Sequence, residues 1–143
     1  MHDQSVAVFD HFLGALSKVL AKAEAHCEAH KIDPAALLTA RLFPDMFTFT
    51  RQVQLATDFA KGPSARLAGV DIPSFEDTET TFGTLQARIA KTREFLATIT
   101  PAMLDGAAMR TIRFRARGQG YEAPGQAYLS MVALPNFYFH TTT

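Results

Sequence analysis

Residues 5–30, SVAVFDHFLGALSKVLAKAEAHCEAH, carry apolar side chains at Phe9, Leu13, Leu16, Leu20, Ala23 and Cys27. The steps between them alternate four, three, four, three, four. That spacing lays one apolar seam along one side of a helix, the pattern of a rod packed lengthwise against other helices. Some 25 residues at the helical rise make a rod of roughly 37 Å. Lys31 leaves the pattern, and Asp33-Pro34 opens a short helix through Ala40, with Asp33 as N-cap and Pro34 in the first turn.

The same logic extends along the chain. Pro44 opens a second long helix with its seam at Met46, Phe49, Val53, Ala56 and Ala60, and Gly62-Pro63 is expected to stop it. A third helix begins near Ser74–Thr78 and carries Phe82, Leu85, Ile89, Leu96 and Ile99, with Thr92 filling the gap; Thr100-Pro101 starts a short turn that ends at Gly106. In residues 112–117, IRFRAR, apolar and basic side chains alternate, which reads as a strand with one wet face. Gly118-Gln119-Gly120 is the expected turn and Tyr121–Ala123 the returning strand. From Gly125 a last helix carries Leu129, Val132, Asn136 and Phe139 on its seam, with Pro135 kinking or restarting it. The predicted fold is all-α: one domain over residues 1–143, an up-and-down four-helix bundle with a short β-hairpin before the last helix. The last helix runs into FYFHTTT without a stop signal, so the natural protein is expected to continue beyond Thr143.

Composition narrows the function. The chain has 143 residues, 48% hydrophobic and 20% charged, with 14 basic and 14 acidic side chains. A net charge of zero argues against a nucleic-acid binder. No run is long enough to span a membrane, and the N-terminus lacks a basic signal-peptide region. Cys27 is the only cysteine, so no internal disulfide can form. A cytoplasmic protein is expected, with a small-molecule ligand and a second copy of itself as the partners to look for.

Three clusters could carry chemistry. His26 and His30 stand one turn apart, a spacing that can share a metal, but a helix end also favours histidine through its dipole. Asn136 interrupts an apolar seam, so a buried amide is expected there, with His140 one turn on; Asp45, Gln52 and Phe59 share one face of the second long helix. Asp45, Gln52, Asn136 and His140 are therefore expected to converge, either as a polar network that fixes helix register or as a metal site with His140 and Asp45 as ligands. Finally, Arg110, Arg113, Arg115 and Arg117 make the densest charge cluster, suited either to a phosphate or carboxylate ligand or to protecting a strand edge.

The stretches KIDPAALLTARLFPDMF (31–47), RQVQLATDFAKGPSARLAG (51–69), FEDTETTFGTLQARIAKTREFL (75–96) and ALPNFYFHTTT (133–143) resemble the domain-of-unknown-function family numbered nineteen-ninety-three. Through that resemblance the chain is identified as a member of the DinB-like (YfiT-like) superfamily, within which the family lies. The resemblance implies a four-helix bundle and a helical tail after the last segment. Superfamily members include metal-dependent hydrolases and thiol transferases that hold a divalent ion such as zinc, nickel or iron with three histidines. One comes from helix two and two from an HxxxH pair on helix four. Here only His140 matches; Asn136 stands at the first position of the pair, and helix two has no histidine. The expectation is an uncharacterised DinB-like protein, non-catalytic or with a degenerate metal site, the alternative being a metal-dependent hydrolase or transferase with altered ligands.

Overall fold

The computed structural model describes residues 1–143. A single 3₁₀ turn, His2–Gln4, leads into α1 (Val6–His30), whose buried side chains include Phe9, Leu13, Leu16, Leu20 and Cys27, as the seam requires. Lys31 closes α1 in the left-handed conformation at φ 54°, and the amide of Ile32 caps the carbonyl of Cys27 at 2.9 Å. Helix α2 (Pro34–Leu38) starts where Asp33 accepts a hydrogen bond from the amide of Ala35.

The second long helix, α3 (Phe49–Ala68), departs from the sequence expectation at both ends. It starts at Phe49 instead of Pro44, because Arg41 bridges to Thr48 and its guanidinium donates to the carbonyl of Met46, holding residues 41–48 as a closed loop. Thr48 then caps the helix by accepting from the amide of Arg51. At the other end α3 runs through Gly62-Pro63 and stops at Gly69, whose φ of 73° suits a left-handed cap. Proline removes one helical hydrogen bond, but residues Ala60 to Ala65 are buried without interruption, and their packing outweighs that local cost.

Residues 70–81 cross to α4 (Phe82–Ala97) without regular structure. The start of α4 is fixed by Thr81, which exchanges hydrogen bonds with Thr84 in a capping box, several residues later than the Ser74–Thr78 stretch suggested. After a 3₁₀ turn (Pro101–Leu104), β1 (Thr111–Ala116) pairs antiparallel with β2 (Gln119–Pro124), Phe114 facing Tyr121 and Arg113 facing Glu122. The turn is Arg117-Gly118, not Gly118-Gln119-Gly120: both residues have positive φ, 49° and 80°, which matches the twist of a two-residue hairpin. Gly125 follows directly, and only glycine fits there, because a Cβ would come within 2.0 Å of the carbonyl oxygen of Ala107.

The final helical run has three parts: α5 (Gly125–Tyr128), a π-helical turn (Leu129–Ala133) and α6 (Leu134–Thr142). Pro135 sits in the first turn of α6, where its missing N–H does least harm, so the expected restart is observed. The wide turn has a larger consequence. It inserts one residue into the helical phase, which rotates everything after it by about 100°. The buried positions are therefore Leu129, Ala133, Phe137 and His140, in place of the seam through Val132, Asn136 and Phe139.

Helix α1 packs on α4, α3 packs on both α4 and α6, and α1 also meets α3 and α6. Leu16, Val53, Leu85 and Ile89 lie in one continuous apolar core, which Phe9 and Phe137 join edge to face at 4.9 Å. The chain is mostly helical, with one small hairpin. No helix is long and apolar enough to cross a membrane.

Candidate ligand cavity

His140 enters the interior because of the phase shift before α6, and Gln52 meets it from α3. The Nδ1 of His140 lies 2.7 Å from Oε1 of Gln52, and both side chains are buried. An amide oxygen can only accept, so Nδ1 carries the proton and Nε2 keeps its lone pair. Phe59, two turns after Gln52, stacks on the imidazole at 5.5 Å with planes 22° apart, and Phe139 meets its edge at 5.2 Å. Nε2 has no hydrogen-bond partner in the protein and is reached by solvent.

His140 and Gln52 stand in the wall of a cavity of about 310 Å³, whose other polar residues are Arg41 and Thr141–Thr143. Its apolar side is built by Leu16 and Val19 of α1, Leu37 of α2, Leu42 and Phe47 of the closed loop, and Val53 of α3. Ala40 and Arg41 form part of the rim. Burial, assisted by the positive charge of Arg51, pushes the His140 pKa below its ordinary value. The folded protein thus holds this imidazole neutral at a pH where the unfolded chain would protonate it. The unfolded state then binds more protons, so stability falls as the pH drops below about 6.5. In a His140→Gln variant this acid-side loss is expected to shrink, as read from urea midpoints measured between pH 7.5 and 5; identical pH profiles would contradict the neutral, buried imidazole.

The structure leaves the other two expected members out. Asn136 does not point at Gln52; its amide donates to the carbonyl of Val132 on its own helix at 2.7 Å. Asp45 sits exposed in the loop before α3, makes no hydrogen bond or ion pair, and is not among the residues lining the cavity. No carboxylate raises the His140 pKa. His26 and His30 are exposed at the end of α1, with ring centroids 4.2 Å apart and His30 Nδ1 donating to the carbonyl of His26. Cys27, between them, is buried in the core. Nowhere do three His, Cys, Asp or Glu side chains converge closely enough to hold a metal ion.

Sequence reasoning missed a second polar centre. Arg88 of α4 is buried, and it donates from Nε to Thr57, from one terminal nitrogen to Asp58 at 3.0 Å, and from the other to Glu79 at 3.1 Å and the carbonyl of Glu76 at 3.0 Å. Asp77 lies 3.0 Å from the same guanidinium, and Lys61 pairs with Asp58. Burial works to raise the Glu79 pKa, but hydrogen bonds from Gln54 and Arg88 outweigh it and hold the carboxyl below its usual range. The 70–81 crossover is tied down mainly by this side chain, with Arg51 on Asp77 at 2.6 Å and Gln54 on Glu79 at 2.8 Å as further ties. A signal existed: Arg88 falls on the inward stripe of α4, between Leu85 and Thr92.

The model of the family described as a domain of unknown function, DUF1993, matches residues 1–143. The chain belongs to the DUF1993 family. Among solved structures, a DinB family member from Shewanella denitrificans superposes on this DUF1993 chain with a TM-score of 0.92 and 39% identity, covering 99% of this chain and 80% of that one. Among curated proteins, none matches. The three-histidine metal centre implied by the superfamily resemblance does not fit the donors present. The α3 side chain that meets His140 is an amide, and the Asn136 amide is spent on its own helix.

Proposed function

We propose that this DUF1993 chain is an up-and-down four-helix bundle of the DinB type that binds a small molecule in the cavity beside His140 and Gln52, where the superfamily would place a metal. The observation that carries this reading is the fixed, neutral imidazole. Its Nδ1 proton is committed to Gln52, its plane is held by Phe59, and its Nε2 lone pair is left over in an apolar wall. A mostly apolar cavity with a few placed polar groups is the common form of a small-ligand site. The ligand that matches His140 has an apolar body and a hydrogen-bond donor for Nε2. As metal ligands, one imidazole nitrogen and one amide oxygen fall short of the set that zinc or iron prefers.

N-phenyl-1-naphthylamine, a neutral, apolar probe with one N–H, tests this directly. Its fluorescence should rise on saturable, one-to-one binding. Ala40→Trp, which plugs the rim, should weaken binding tenfold or more, and His140→Phe should weaken it by removing the acceptor. No saturable rise, or equal binding by the Ala40→Trp variant, would contradict the cavity assignment.

A further inference from the structure

A second groove, between α3 and the hairpin, holds charges that the fold leaves unbalanced. Arg66 of α3 is half-buried, yet no carboxylate pairs with it. Its one hydrogen bond runs from Nη1 to the hydroxyl of Tyr128 at 3.2 Å. Gly62, one turn earlier, makes room for that guanidinium: a Cβ there would lie 3.0 Å from Nη1. A guanidinium has five N–H donors, and those of Arg66 that are unused remain open to solvent. Arg115 of β1 is alike, bonded only to the carbonyl of Gly118 in its own turn. Arg113, by contrast, is neutralised by Glu122 at 2.6 Å.

Arg66 and Arg115 line the same space, a groove of about 560 Å³ that shares Arg66, Phe114 and Arg115 with a smaller neighbouring cavity of about 210 Å³. Phe114 and Tyr121 add an aromatic part to the same lining. Phe114 stacks on Tyr121 at 5.7 Å and meets Tyr128 at 4.9 Å. Gly120, opposite Arg115 in the ladder, adds no side chain, and a Cβ there would meet nothing within 4 Å. Burial keeps the Tyr128 hydroxyl protonated despite the nearby Arg66 charge, so it accepts from Arg66 and retains a proton to donate.

We propose that this groove binds a small aromatic carboxylate, its anion held between Arg66 and Arg115 and its ring laid against Phe114 and Tyr121. Two unpaired guanidinium groups suit an anion, and Arg engages carboxylates with paired N–H donors. The aromatic wall selects a planar apolar body, which inorganic phosphate lacks. A nucleic acid is a poorer match, since the chain has no net positive charge and Glu122 stands in the groove wall.

Calorimetric titration with 2-naphthoate, its neutral analogue 2-naphthalenemethanol and inorganic phosphate tests the site. The expected result is one-to-one binding of 2-naphthoate at least tenfold tighter than either analogue. Arg66→Gln and Phe114→Leu should each weaken it several-fold. Arg115→Gln should do the same; Arg115 is exposed, so this variant decides the matter should Arg66→Gln fail to fold. Equal binding of the alcohol, no saturation in the millimolar range, preference for a single-stranded oligonucleotide, or unchanged affinity in a folded Arg115→Gln variant would overturn the proposal.

Discussion

An Arg88→Met variant is expected to lose about 3–5 kcal/mol of stability, the range for removing one partner from a buried ion pair. Asp58 and Asp77 keep some access to water, which moderates the loss, but Glu79 is nearly enclosed and would be left facing Gln54 alone. Thr57 would also lose the donor to its hydroxyl oxygen, keeping only its own bond to the carbonyl of Gln54. For a domain of this size the shift in melting temperature is roughly 10 °C. Differential scanning calorimetry reads it, and a midpoint within a degree or two of the parent would show that the crossover is held by something other than this guanidinium. The same variant should make residues 70–81 more open to limited proteolysis, because the ties that remain, the half-exposed Arg51–Asp77 pair and Lys61 and Lys91 over the Phe75 ring at 4.5 and 4.4 Å, are weaker.

Phe137→Ala should cost a similar amount, about 3–5 kcal/mol, through the cavity it leaves. Phe137 is fully buried and packs edge to face on Phe9, and with Tyr138 on Phe12 it ties α6 to α1. The loss would reach the candidate site, since His140 lies one turn further along the same helix. Chemical denaturation should therefore show a lower midpoint, together with weaker binding of the naphthylamine probe in the still-folded protein. A loss under about 1 kcal/mol would mean that α6 is not held by this contact.

What could be read from residues alone depended on how local the deciding physics was. The seam of α1, the alternating IRFRAR strand and the Asp33-Pro34 helix start are set by neighbours in sequence, and each appears in the structure as expected. The misplaced features are those set by distant packing. Gly62-Pro63 looks like a stop, yet it sits in a stretch of α3 buried by the rest of the fold. The π-helical turn at Leu129–Ala133 leaves no clear mark in the sequence, but it moves the inward face by one residue and exchanges Asn136 for Phe137. His140 and Gln52 were recognisable as polar residues bordering apolar seams. Asp45 was misplaced because the Arg41–Thr48 bridge delays the start of α3.

We propose His140 as a neutral imidazole fixed by Gln52 in a ligand cavity, not as a metal ligand. Long-range ¹H–¹⁵N correlation of the histidine side chains, recorded during a zinc titration of tag-free protein, tests it most directly. The account predicts a His140 signal with the proton on Nδ1, holding its neutral shifts below pH 6.5 and unmoved by one equivalent of zinc. A stoichiometric zinc-dependent shift at Nε2 of His140, or an imidazolium already formed at pH 7, would contradict it.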